Sequence, residues 1–68
     1  MEDMSLAEVN IALAVLLYGG FPVFVEDTGK GRFTITVSTA DGDEVICRNV
    51  DAVIDLLVKE REPRRYNS

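Results

Sequence analysis

From Leu6 to Tyr18 the chain reads LAEVNIALAVLLY, and only Glu8 and Asn10 interrupt the run of apolar positions. At about 100° per residue, Leu6, Val9, Leu13, Leu16 and Leu17 gather on one face of a helix. Ile11, Val15 and Tyr18 gather on nearly the opposite face. A surface helix normally carries one apolar stripe and one polar one. The second stripe here therefore asks for a partner, a copy of the chain or another protein.

The start of this helix is written locally. Ser5 and Glu8 stand at the spacing of a capping box, in which each side chain satisfies an orphan backbone amide at the other's position. Met4 and Val9 occupy hydrophobic-staple positions, and Glu2 and Asp3 place negative charge beside the positive end of the helix dipole. After Tyr18, Gly19 is expected to take the left-handed conformation that closes a helix. The pattern predicts a helix over 6–18.

The period then changes. Phe21 to Glu26 is aromatic and β-branched, with Pro22 suited to a strand start or an edge. Residues 27–31 (DTGKG) read as a flexible connection. Arg32 to Thr39 alternates, with Phe33, Ile35 and Val37 on one face and Thr34, Thr36 and Ser38 on the other, facing solvent. Asp41-Gly42 is a hairpin signal, after which 43–48 (DEVICR) returns as a third strand. A two-residue turn puts Ile46 on the core face, whereas a three-residue turn with a bulge puts Val45 and Cys47 there, because a one-residue slip exchanges the faces. Two apolar side chains favour the second register.

A second helix is expected after Asn49 as N-cap, with Asp51 in its first turn. Val50, Val53, Ile54 and Leu57 recur at i, i+3, i+4 and i+7 and make its core face, with Leu56 and Val58 off that stripe. Lys59 and Arg61 suit its C-terminal end, and Pro63 stops it. The expectation is an α+β fold in the order α-β-β-β-α: a three-stranded antiparallel meander with two helices packed on one face. One domain spans 1–62, and 63–68 form a short mobile C-terminal tail.

Length sharpens the meaning of the second stripe. Sixty-eight residues lie near the low end of what folds alone. Small chains lean on disulfides, metals or oligomerisation. One cysteine, Cys47, and no histidine leave neither an internal disulfide nor a zinc site. Oligomerisation remains. The unpaired thiol points to a reducing, cytoplasmic setting. The acidic N-terminus is not that of a signal peptide, and Gly19-Gly20 and Pro22 interrupt the apolar stretch before it reaches transmembrane length.

Charge is unevenly spread. Residues 1–58 carry ten acidic side chains against three basic ones, and residues 59–68 carry four basic against two acidic. An acidic body is repelled by nucleic acid and drawn to basic surfaces, so direct nucleic-acid binding is not expected. Arg64-Arg65-Tyr66 makes too small a basic footprint to alter that. Gly29-Lys30-Gly31 lacks phosphate-loop spacing, and the DGDE stretch at 41–44 lacks calcium-loop spacing. No cofactor or metal is called for. Without histidine and without converging carboxylates, a nucleophile–base pair has no members, so an enzyme is not expected.

Acidic body, short length and α-β-β-β-α order together resemble the small inhibitors carried by bacteriophages and mobile elements, anti-CRISPR proteins in particular. That resemblance implies a cytoplasmic protein that blocks a nucleic-acid-handling complex by offering carboxylates to a basic channel in place of phosphates. Glu26, Asp27, Asp41, Asp43 and Glu44 are the candidate surface, on the expectation that strand-end loops present them together. Two alternatives stand beside it. One is a homodimeric structural or regulatory module using Ile11, Val15 and Tyr18 as self-interface, with Ala7, Ala12 and Ala14 permitting close approach. The other is an antitoxin or immunity-type protein that binds a basic toxin.

Overall fold

A computed structural model describes residues 3–61 of the chain, with the elements α1 (Leu6–Tyr18), β1 (Val23–Gly29), β2 (Arg32–Ser38), β3 (Glu44–Cys47) and α2 (Val50–Arg61). The expected tail at 63–68, with Pro63 and Arg64-Arg65-Tyr66, lies outside the described residues. The three strands form one antiparallel sheet in the order β1-β2-β3, and both helices pack on the same face of it. This is the α+β arrangement the sequence pattern calls for.

Local chemistry fixes the ends of α1. The Ser5 backbone N–H donates to Glu8 Oε1 at 2.8 Å, and the Glu8 N–H donates to Ser5 Oγ at 3.3 Å, which closes the capping box. At the other end Gly20, not Gly19, takes the left-handed conformation (φ +83°), while Gly19 stays helical at −78°. The N–H of Gly20 donates to the Leu17 carbonyl and that of Phe21 to the Leu16 carbonyl, both at 3.0 Å. Those two bonds make a Schellman motif, displaced by one residue from the expected left-handed position. At α2, the Ala52 N–H donates to Asn49 Oδ1 at 2.8 Å, the expected N-cap.

The hairpins fix the register. The Gly42 N–H donates to the Thr39 carbonyl at 3.0 Å, the Thr39 N–H donates to the Asp43 carbonyl at 2.9 Å, and Gly42 sits at φ +92°. This is a three-residue loop with a left-handed glycine, the turn that brings Val45 and Cys47 to the core face. Accordingly Ile35 pairs with Cys47 and Val37 with Val45, while across β1 the same two residues pair with Val25 and Val23. The first hairpin departs from expectation. Residues 27–31 are not a loose connection: β1 runs on through Gly29, with a bulge at Thr28. Asp27 Oδ1 accepts from the Gly29 N–H at 2.8 Å, and Lys30 and Gly31 both have positive φ. Two successive left-handed residues are what a tight two-residue hairpin requires. Phe21 precedes β1 instead of starting it.

Met4, Val9, Ala12, Leu16, Ile35, Val37, Cys47, Val53 and Leu56 form the core. Met4 also pairs with Phe33 through two backbone bonds of 2.8 and 3.0 Å, filling the place beside β2 that β3 leaves when it ends. Asp3 is held there by Arg48 at 3.3 Å, and its carbonyl accepts from Arg32 at 3.3 Å.

Three burial expectations need correction. Leu6 and Leu17 stand 58% exposed, and the small Ala12 takes the interior place instead. On α2, Leu56 is buried and Ile54 is exposed, because the helix turns the 53/56 side toward the sheet. Thr34 lies on the outer side of β2 with Thr36 and Ser38, yet it is buried rather than solvent-facing.

Candidate functional site

Two surfaces combine exposure with concentrated chemistry. The first is the helical layer. Glu8, Ile11, Ala12 and Val15 of α1 line one groove with Val50, Val53, Ile54 and Leu57 of α2, and Val15 and Tyr18 line the next hollow with Leu57 and Glu60, so the two helices advance together. The two helices therefore run parallel. Between them lies a groove of about 270 Å³ walled by apolar side chains from both helices, with Glu8 the one charged residue on its lining. Ile11 (68%), Val15 and Ile54 stand exposed on its lining, and Tyr18 (93%) and Val58 are exposed further along α1 and α2. Ile11, Val15 and Tyr18 are thus together on one exposed face, and α2 borders that face without covering it. What the single-helix pattern missed was Ile54 and Val58, which extend the same surface onto the second helix.

An apolar side chain left in water forgoes the roughly 25 cal/mol per Å² that burial provides. The largest apolar patch on a typical monomer is about 300–600 Å². Five large side chains at these exposures, with Ala7 and Ala14 between them, make a patch of that order on a total surface of 4883 Å².

The second surface is acidic, and it is not one surface. Glu26 pairs with Thr34 and Asp27 with Phe33, near the β1–β2 turn. Glu44 pairs with Ser38, and Asp43 and Asp41 lie beyond it in the β2–β3 turn. Thr34 and Ser38 are four residues apart on β2, about 13 Å along the strand. The five carboxylates expected together therefore divide between opposite ends of the sheet, because a meander sends successive turns to opposite ends. Asp41, Asp43 and Glu44 stay together, all exposed. Their end of the sheet is also where both helices finish, with Glu60 and Ala40 lining one hollow, no basic residue in the last turn of α1 and Lys59 in the last turn of α2. Two helix C-termini add partial negative charge to the carboxylates.

Compared with known proteins, the sequence matches no family model, no curated protein and no solved structure.

Of the remaining candidates, Cys47 is fully buried at the middle of the core, and burial pushes its thiol pKa up. A protonated, inaccessible thiol is a structural group. Glu8 is the other perturbed group: the Ser5 backbone N–H, then the Ser5 hydroxyl, hold its carboxyl below the usual glutamate range. The cap accounts for that shift. Among the described residues no group of three or more His, Cys, Asp or Glu side chains is placed to hold a metal ion, and no helix is long and apolar enough to cross a membrane.

Proposed function

We propose that this chain is a non-catalytic binding protein whose helical layer is its contact surface. The observation that carries this is the apolar groove lined by both α1 and α2, with Ile11 on it and Tyr18 beyond it among the most exposed large side chains of the fold. A monomer of this size gains from covering such a surface and loses by leaving it bare. The absence of histidine from the sequence and the burial of its one thiol support a role in contact over one in catalysis.

The test is Ile11→Glu combined with Val15→Glu, both at exposed positions. The circular dichroism spectrum should stay in place. The association shown by the wild-type chain should disappear, whether seen as a higher solution mass in light scattering or as a bound protein in native mass spectrometry. Association that survives two buried-in carboxylates would refute the helical layer as the contact surface.

One observation favours a second, compatible reading. Asp41, Asp43 and Glu44 are exposed together at the end of the sheet where both helices finish, which makes a local acidic pole there even with Lys59 at the same end. Such a pole suits a basic protein surface, as in an anti-CRISPR-like inhibitor that takes the place of phosphates or an immunity-type protein against a basic toxin. Glu26 and Asp27 fall outside that pole. Polylysine serves as the probe: reversing Asp41, Asp43 and Glu44 to Lys should weaken binding more per charge than reversing Glu26 and Asp27. Equal losses per charge would reduce the pole to net charge alone.

A further inference from the structure

The exposed side of α1 carries a seam that fits a copy of itself. Ala7, Ile11, Ala14 and Tyr18 follow a 4-3-4 spacing, the repeat that packs one helix along another, and all four are exposed. Along that seam the sizes alternate: small, large, small, large. We infer that the partner of the helical layer is a second copy of this chain, docked with the two α1 helices antiparallel about a two-fold axis passing between Ile11 and Ala14.

This rests on the helical layer being the contact surface, and it adds the occupant and its register. A two-fold interface requires that if one residue meets another across it, the reverse contact also occurs. In the antiparallel register Ala7 faces Tyr18 of the second copy, and Ile11 faces its Ala14, so every bulky side chain meets an alanine. Large against small is how facing layers interdigitate at close approach. A parallel pair would set tyrosine on tyrosine and isoleucine on isoleucine, with paired alanines leaving gaps between them.

Charge points the same way. Because α1 and α2 are parallel within one copy, a parallel pair would stack four helix C-termini and two copies of Asp41, Asp43 and Glu44 at one end. The antiparallel pair instead sets the C-terminal ends of one copy's helices beside the N-terminal ends of the other's, where the partial charges are opposite. Area is adequate. A standard interface takes about 800 Å² from each partner, about one-sixth of the 4883 Å² here, and the apolar groove beside the seam, with Ile54 and Val58, lies within reach of it.

Disulfide capture tests occupant and register together. Ala7→Cys and Tyr18→Cys are placed in separate chains, both at exposed sites, while the native Cys47 stays buried. Each chain is oxidised alone and then mixed with the other, with solution mass recorded for the wild type. The expected result is a covalent pair formed only in the mixture. Either variant linking to itself when alone would overturn the antiparallel register while leaving the helical layer as the contact surface. A wild-type chain that stays monomeric at high concentration, with no linked product, would overturn the second copy as occupant. If that monomer still loses a bound foreign protein on Ile11→Glu, the contact surface stands and only its occupant changes.

Discussion

Truncating Ile11 to alanine separates a bare surface from a covered one by magnitude. Ile11 is 68% exposed within the chain, so about one-third of its side chain is already shielded. Full burial of an isoleucine contributes about 1.5–3 kcal/mol, which leaves roughly 0.5–1 kcal/mol for Ile11→Ala to cost an isolated chain. If a second copy covers the remainder, each copy loses about a further 1–2 kcal/mol. The two-fold pair feels the loss twice, about 2–4 kcal/mol, so its dissociation constant rises on the order of thirty- to several-hundred-fold. Urea unfolding at two widely separated protein concentrations reads both terms. The wild-type midpoint should climb with concentration, because association stabilises the folded chain by mass action. The Ile11→Ala midpoint should be lower and should lose most of that dependence. Leu16→Ala is the internal control. Leu16 is fully buried in the core, and its truncation should cost about 2–5 kcal/mol whatever the concentration. An Ile11→Ala chain that loses only the smaller amount at every concentration refutes the covered surface.

Gly42→Ala should cost about 1–2 kcal/mol in urea unfolding, because the residue sits at φ +92° with open space around it, so backbone strain is the whole effect. A neutral outcome would mean that the β2–β3 turn does not hold the register. The Cys47 thiol, buried and pushed up in pKa, should label with an aromatic disulfide reagent only as fast as the chain opens, and Leu16→Ala should speed the labelling. Fast labelling of the native chain would contradict its burial. Glu8, whose carboxyl titrates below the usual range in the folded chain, contributes a stability that is fully present above the ordinary glutamate pKa of about 4.3. That contribution is lost as pH falls through the lowered value. Glu8→Gln keeps an acceptor for the Ser5 N–H and should flatten the acid limb of a melting-temperature profile; an unchanged limb would place the acid sensitivity elsewhere.

What the sequence made legible was local. The Ser5–Glu8 box, the Asn49 cap and the Asp41-Gly42 turn each need only residues within four positions of one another, and each forms as its spacing implies. Alternation from Phe33 to Val37 likewise names its own core face. Helix orientation is different, since α1 offers apolar residues in nearly every direction and its periodicity cannot rank them. Tertiary packing decides: with α2 alongside, the direction facing both sheet and neighbour runs through Val9, Ala12 and Leu16, and Leu6 and Leu17 are turned out. A small residue wins an interior place because two helices and a sheet converge there, which no single-helix count can anticipate. The candidate site shows the same division. Ile11, Val15 and Tyr18 could be found from one helix. Ile54 and Val58 joined them only once α2 lay beside α1, and the acidic set came apart because its members belonged to two different turns.

The two proposed surfaces should respond to salt in opposite directions, because the same charge distribution acts on each. Each chain carries a formal net charge of −5, so two copies repel as they approach while their apolar seams attract. At about 0.1 M ionic strength the screening length is near 10 Å, short enough to damp repulsion between distant carboxylates and leave the seam contact intact. Added salt therefore strengthens the pairing of copies. A negative pole at Asp41, Asp43 and Glu44 meeting a basic surface is weakened by the same screening. An antiparallel pair carries these poles at its two opposite ends, outside the seam, so the assembled form keeps both available. Self-association that rises with salt while binding to a basic partner falls would assign one physical origin to each surface. Both falling together would mean that charge alone governs the molecule and that the apolar seam contributes nothing to its contacts.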